Sequence, residues 1–197
     1  MQRLLLALIL SIALLQSGMA YSEGVGKIAD NGCVCHGAQE DNVVITLEGL
    51  PEEYSAGESY NVTITLSSSV EANDVQGGFR IIPSHGNFSG EGWIEAESGW
   101  THSDSINDRR SWTGVWTAPI ESDKLATFVL HGNTVNGDAQ ANDDDDWNSY
   151  SVAVPGPDYT GDTSAPDVDL SLGAVEIVVG ILAIALLGWL TFLAMRD

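Results

Sequence analysis

The sequence predicts an all-β fold, an immunoglobulin-like sandwich of about seven strands, with an apolar segment at each end of the chain. Short runs of β-branched, aromatic and aliphatic residues recur between turn residues, and several of them alternate apolar with polar positions. Such alternation is typical of strands that bury one face. Before the C-terminal apolar segment, no stretch repeats with the 3.6-residue period of an amphipathic helix. These observations favour two packed β-sheets over a helical or mixed fold.

Residues 1–20 have the organisation of a secretory signal peptide. Arg3 precedes an apolar run from Leu4 to Leu15, and small residues stand at Gly18 and Ala20. A positive start, a short apolar centre and small residues before the cleavage point define such peptides. We therefore predict cleavage after Ala20. An uncleaved N-terminal anchor is the alternative.

The other end of the chain predicts a transmembrane helix over residues 175–195. Between Ile177 and Met195 only Thr191 is polar, which is about the length of apolar chain that crosses a bilayer. Arg196 follows directly, as the positive-inside rule expects at a cytoplasmic end. The sequence thus predicts a single-pass cell-membrane protein whose N-terminal domain is extracytoplasmic.

Between these ends we predict a leader over 21–41, the sandwich over 42–154 and a spacer over 155–174. The leader shows no periodicity, and proline, glycine and acidic residues dominate the spacer. Within the sandwich, Trp112 and Trp116 share one side of a strand and are expected in the core. After Leu130, the Gly132-Asn133 pair is expected to lead the chain away from the sheet. The predicted strands are Val43–Leu47, Tyr60–Leu66, Gly77–Ile82, Trp93–Glu97, the segment around Trp112–Trp116, Leu125–Leu130 and Tyr150–Val154.

The composition excludes some functions. Twenty-eight Asp and Glu residues stand against seven Lys and Arg, whereas a nucleic-acid-binding domain needs a basic surface. Docking on anionic lipid is disfavoured for the same reason. No phosphate-binding glycine loop, nucleophile elbow or zinc-protease motif is present, so we expect no enzymatic activity.

Five short motifs follow one another in a recognisable order between Gly32 and Val154. They are Gly49-Leu50-Pro51, then Tyr54, Gly57 and Tyr60, then Gly78-Phe79, then Trp116-Thr117-Ala118-Pro119, and then Gly132-Asn133 with Asn136-Gly137-Asp138. In this order they resemble Reeler-like domains, in particular those called choice-of-anchor V domains. The resemblance implies a β-sandwich displayed at the cell surface on a C-terminal anchor, with no established catalytic activity.

The segment Cys33-Val34-Cys35-His36 in the leader is the first candidate site. Many members of the family have Cys-x-x-Cys-His here, which looks like a c-type haem attachment site; this chain has one residue fewer between the cysteines. On that basis two thioethers and His36 would hold haem c. Thiolate and imidazole ligands also suit copper or zinc. A strained disulfide between Cys33 and Cys35 is the third alternative.

The acidic loop after the sixth predicted strand is the second candidate. Asp138, Asp143, Asp145 and Asn136 offer the hard oxygen ligands that calcium prefers, although their spacing is not that of an EF-hand. A solvated turn is the alternative, and the one we favour.

Other polar and aromatic residues give weaker indications. His85, His102 and Trp100 are expected in exposed loops, although Trp100 could also stack on a sugar. His131 is expected at a strand end. Asn61-Val-Thr63 and Asn87-Phe-Ser89 match the N-glycosylation pattern, with both asparagines at outward positions.

The function expected from the sequence is that of a membrane-anchored, non-catalytic binding or scaffolding module. Its partner would be a surface protein or a glycan, and the C-terminal helix would attach it to the membrane. The alternative is a surface electron carrier that holds haem c or copper at Cys33, Cys35 and His36.

Overall fold

The computed structural model describes residues 23–168 and 174–195. The chain forms two compact units, a β domain and a unit that contains the C-terminal helix. The predicted signal peptide lies outside the described residues.

Within residues 23–168, nine strands form two antiparallel sheets, which confirms the all-β prediction. One sheet has four strands in the order β1-β2-β7-β4, and the other has five in the order β5-β6-β3-β8-β9. The strands are β1 Val44–Glu48, β2 Ser59–Ser67, β3 Gly77–Pro83, β4 Asn87–Ser89, β5 Trp93–Ala96, β6 Gly99–His102, β7 Ser111–Thr117, β8 Leu125–Thr134 and β9 Asp146–Pro155.

The core lies between the two sheets and is centred on aromatic side chains. Trp116 from β7 is fully buried and lies 5.1 Å from the ring of Phe128 on β8, measured between centroids. Phe79 on β3 packs against both Trp93 and Trp112. The core positions predicted for Trp112 and Trp116 are confirmed, because alternation places both on the inner face of β7.

Two strands, β4 and β6, were missing from the prediction, and β6 carries two residues that were assigned to exposed loops. β4 is short, and β6 follows β5 after a tight turn at Glu97 and Ser98, both with positive φ. Trp100 and His102 lie in β6 and are buried, so the exposed positions predicted for them are wrong. Strands of three and four residues carry too little alternation to be recognised.

The predicted end of β8 is also wrong. The strand continues through Gly132 and Asn133 to Thr134, paired with β9 along its whole length. Glycine suits this strand position because a Cβ there would collide with the side chain of Leu66 on the facing sheet. Glycine here marks a close approach between the two sheets instead of a turn.

The outer faces of the two sheets differ. On the four-stranded sheet the outward side chains are exposed or half-buried and almost all uncharged. On the five-stranded sheet the outward residues Arg80, Thr101, His131 and Trp147 are all buried. The leader covers them, with two short 3-10 turns at Lys27–Ala29 and Val34–His36.

The first part of the predicted spacer is held against the sandwich by hydrogen bonds. The amides of Gly156 and Asp158 donate to the carbonyls of Lys124 and Ser122, at 2.9 and 3.0 Å. Farther on, the Ser151 hydroxyl on β9 donates to the carbonyl of Pro166 at 2.7 Å. These residues therefore extend the folded domain beyond β9.

The C-terminal helix spans Ala174–Met195, which agrees with the helix predicted there. Its side chains are described from residue 177 to residue 193, and all of these are exposed. Within the described part of the chain, no helix has the length and apolar character that crossing a membrane requires.

Candidate functional site

The leader is attached to the five-stranded sheet through Asp30. Its carboxylate accepts from the guanidinium of Arg80 at 2.9 Å, and its backbone carbonyl lies 3.0 Å from Nε2 of His131. Arg80 is 2% exposed and also donates to the carbonyls of Ala96 and Glu97. A buried guanidinium requires such partners, because an unpaired charge away from water is costly.

Asp145 connects the leader to the loop between β8 and β9. Its side chain is fully buried, with one oxygen 2.8 Å from Nδ1 of His36 and the other accepting from the backbone amide of Asn136 at 3.0 Å. The Nε2 atom of His36 faces the amide of Asn133 at 3.4 Å. A carboxylate on Nδ1 fixes the orientation of the imidazole ring. The two candidate sites of the sequence thus meet here.

Trp147 forms a second attachment for the leader. Its indole nitrogen donates to the carbonyl of Gly37 at 3.0 Å, and its backbone carbonyl accepts from Glu40 at 2.9 Å. Gly32 lies directly on the indole ring with φ of +100°, so a Cβ there would be both strained and in collision. Trp147 and Ala29 are buried outside the main core, under the leader.

The two cysteines are in different environments. Burial, and secondarily the neighbouring Cys35, raises the pKa of the Cys33 thiol to about 12. Cys35 is exposed, and both thiols are free. In the described residues no group of three or more His, Cys, Asp and Glu side chains is arranged to hold a metal ion. As placed, Cys33, Cys35 and His36 do not converge, and haem c, copper and a disulfide stay predictions.

The candidate calcium ligands mainly bind their own loop. Asp138 accepts from the amide of Gln140 and from the side chain of Asn142, at 2.8 and 3.2 Å. The side-chain oxygen of Asn136 accepts from the amide of Asp138 at 2.9 Å. Asp143 lies against Gly37 of the leader. Within the described residues these oxygens form no common cluster, and a calcium site stays a prediction.

Sequence reasoning missed the residues that hold the leader in place: Asp30, Arg80, Asn133 and Trp147. One signal was present at Arg80, a lone charge within the buried strand Gly-Gly-Phe-Arg-Ile-Ile. A charge at such a position is rarely buried without a partner. The leader glycines were a second signal, because Gly24, Gly32 and Gly37 each lie against a side chain of the domain.

Two buried histidines are held neutral. Burial lowers the pKa of His102 to about 4, only partly offset by its hydrogen bond with the backbone of Phe79. Burial likewise lowers the pKa of His131, whose Nδ1 lies 2.7 Å from the hydroxyl of Ser149. His131 is therefore in hydrogen bonds with both the leader and β9.

We expect the stability of the β domain to fall as the pH falls from 7 to 4. The folded pKa of His102 is about 4 against 6.5 for the ordinary group, so in this range the unfolded chain binds more protons. The contribution of His102 to the free energy of unfolding is fully present above about pH 6.5. Its loss by pH 4 lowers the free energy of unfolding by about 3 kcal/mol. Urea titrations followed by circular dichroism measure this slope. His102→Gln should reduce it, and His85→Gln, at a less buried position, is the control. An unchanged slope in His102→Gln would contradict the assignment.

No protein-family model and no curated protein sequence matches this chain. Several solved structures do match this chain. The Reelin-N domain of F-spondin is 19% identical, with 61% of this chain and 89% of that chain covered and a TM-score of 0.37. The human F-spondin reeler domain is 17% identical, covering 62% and 97%, with a TM-score of 0.39. A conjugative transposon lipoprotein from Bacteroides eggerthii is 8% identical, covering 58% and 98%, also at 0.39. Solved Reeler domains are thus among the structures that this chain is similar to.

Proposed function

We propose that this protein is a membrane-anchored extracytoplasmic module that binds or scaffolds a partner and has no catalysis of its own. The observation that carries the proposal is the way the leader is built onto the five-stranded sheet. Asp30, His36 and Gly37 are fixed by Arg80, Asp145 and Trp147 respectively. A surface held in one conformation binds a partner with less loss of conformational entropy.

The fixed leader presents a defined outer surface. Val34 is 62% exposed, next to the exposed Cys35, and Ile28 is 75% exposed on the first 3-10 turn. Acidic residues of the β8–β9 loop adjoin this surface at Gly37. Exposed apolar groups beside carboxylates suit a surface protein that offers apolar and basic side chains. We place the partner-binding surface on the leader for this reason.

The proposed anchor is the C-terminal helix. Its described side chains are apolar on every side, and the exposed large ones include Leu182, Leu186 and Phe192. A helix that is apolar all round is suited to a lipid environment. Among the side chains described, from residue 177 to residue 193, Thr191 is the polar one. Its hydroxyl donates to the carbonyl of Leu187 at 2.8 Å and so has its hydrogen bond satisfied within the helix.

The location is tested by labelling intact cells with a membrane-impermeant maleimide. Cys35 is exposed, whereas Cys33 is partly buried and its raised pKa keeps the thiol protonated at neutral pH. We expect labelling of Cys35 without lysis, after an impermeant reductant if the two cysteines have paired. A Cys33→Ser/Cys35→Ser chain that carries Asp197→Cys should react only after lysis. Labelling of Cys35 only in lysed cells would refute the extracytoplasmic location.

The electron-carrier alternative is favoured by one observation, the carboxylate of Asp145 on Nδ1 of His36. Histidines that ligate metals commonly have this arrangement. Intact mass and an absorption spectrum of the purified chain separate the two functions. An added haem mass with a Soret band that Cys35→Ala removes would establish the carrier. A colourless chain that lacks the haem mass, in a host that attaches haem, would favour the binding module.

A further inference from the structure

The outer face of the four-stranded sheet is unusual for such an acidic protein. Fourteen residues point outward from its strands, and Glu48 is the only charged one among them. The other thirteen are Val44, Thr46, Ser59, Asn61, Thr63, Thr65, Ser67, Asn87, Ser89, Ser111, Thr113, Val115 and Thr117. Unlike the outer face of the other sheet, this one is not covered by any described segment of the chain.

Both N-glycosylation sequences of the chain lie on this face. Asn61 and Thr63 are two residues apart on β2, so both point outward, and the same holds for Asn87 and Ser89 on β4. Both asparagines are exposed. Each acceptor amide and the hydroxyl that the sequence pattern requires are therefore on the solvent side of one sheet.

The strand register places Asn61 and Asn87 near each other on this face, with β7 between their two strands. Asn61 is opposite Val115 on β7, which is opposite Ser89 on β4. Asn87 lies one two-residue step away, opposite Thr117. Two strand spacings and one such step put the two asparagines about 12 Å apart.

The side-chain amides of Asn61 and Asn87 differ from those of most asparagines of the domain, because they do not hold other parts of the domain in place. Within the described residues, neither the Asn61 nor the Asn87 carboxamide makes a hydrogen bond. The neighbouring hydroxyls bond to each other, as in Ser59 with Thr117 at 3.0 Å. The asparagines whose side chains take part in hydrogen bonds include Asn42, Asn73, Asn133, Asn136, Asn142 and Asn148.

We infer that Asn61 and Asn87 each carry an N-linked glycan, and that the two glycans cover the outer face of the four-stranded sheet. The inference rests on the proposed extracytoplasmic location.

The co-reactant is a lipid-pyrophosphate-linked oligosaccharide. The side-chain nitrogen of asparagine forms a bond to the anomeric carbon of the sugar, the bond from that carbon to the pyrophosphate oxygen breaks, and the nitrogen loses one proton. A neutral, hydroxyl-rich surface suits close contact with the attached sugars, since it offers hydrogen bonds without charge repulsion.

The test is the intact mass and glycopeptide map of the full chain purified from the membranes of its own cells. We expect two glycan masses, one on each asparagine. Thr63→Ala should remove the first and Thr63→Ser should keep it. Ser89→Ala and Ser89→Thr should behave in the same way for the second. Thr113→Ala changes a hydroxyl on the same face outside both sequences, and it should keep both glycans.

Each outcome decides the inference. Glycans lost in the alanine variants and kept in the hydroxyl variants would establish both sites. An unmodified mass would overturn the inference, and would leave the face bare for a non-covalent partner. That failure is distinct from failure of the proposed function, because maleimide labelling of Cys35 in intact cells reports the location independently.

Discussion

Trp116→Ala is expected to lower the free energy of unfolding of the β domain by about 3–5 kcal/mol, the range for removing a buried tryptophan. The indole is fully buried at the centre of the core. Tyr54 meets it edge-on at 5.9 Å, Tyr60 stacks at 5.7 Å and Phe128 meets it edge-on at 5.1 Å. The indole nitrogen also donates to the carbonyl of His85 at 3.2 Å.

A loss of this size is a large part of the stability of an ordinary domain, so the variant should be partly unfolded near room temperature. Urea titration followed by circular dichroism measures the loss. Trp116→Phe retains a ring and should lose clearly less. Ile120→Ala removes a side chain that is 82% exposed and should change stability by less than about 0.5 kcal/mol. A loss below about 1 kcal/mol in Trp116→Ala would mean that the ring cluster is not the centre of the core.

Arg80→Ala should produce the second large effect, a loss of about 3 kcal/mol together with release of the leader. Removing one partner of a largely buried ion pair leaves the other without compensation, and the carbonyls of Ala96 and Glu97 lose their donor. The Asp30 carboxylate retains 30% exposure, which keeps the expected loss near the lower end for buried pairs. Limited trypsin digestion reports the release, because Lys27 lies in the leader.

Matched variants distinguish loss of the ion pair between Arg80 and Asp30 from general destabilisation of the domain. Arg109→Ala removes a pair in which both side chains are about half exposed, and its cost should be close to zero. A double-mutant cycle with Asp30→Asn isolates the coupling between the two groups. If cleavage at Lys27 is no faster in Arg80→Ala than in Arg109→Ala, the leader is held mainly by Asp145 and Trp147.

The strands that sequence reasoning placed correctly are those whose side chains alternate clearly. In β2, Val62, Ile64 and Leu66 all face the core with polar residues between them. The prediction was wrong where one residue type is typical of two different structures. Glycine usually indicates a turn, yet Gly132 lies within a strand, where a Cβ would collide with the side chain of Leu66. The reason is a contact with the facing sheet, and the local sequence does not show which residue of that sheet lies opposite position 132.

Both parts of the candidate site were recognised from local sequence, but their meeting was not. The cysteine segment and the acidic loop each stood out by composition. His36 and Asp145 are 109 positions apart in the chain, and no periodicity links residues at that distance. The same holds for Asp30 and His131, which are 101 positions apart. Long-range contacts of this kind follow from the order of strands within the sheet.

If the protein is exported as proposed, the docking of the leader on the last strand has a consequence for the order of events during export. A chain that crosses a membrane from its N-terminus delivers the leader first and β9, with Trp147, more than a hundred residues later. Until that strand arrives, Gly37 and Glu40 lack the partners that hold them in the finished fold. Throughout this interval Cys33 and Cys35 belong to an extended, solvent-accessible segment, open to oxidants and to enzymes that modify thiols. Before β9 pairs with β8 both cysteines are therefore open to modification, whereas in the finished fold Cys35 is the exposed one of the two.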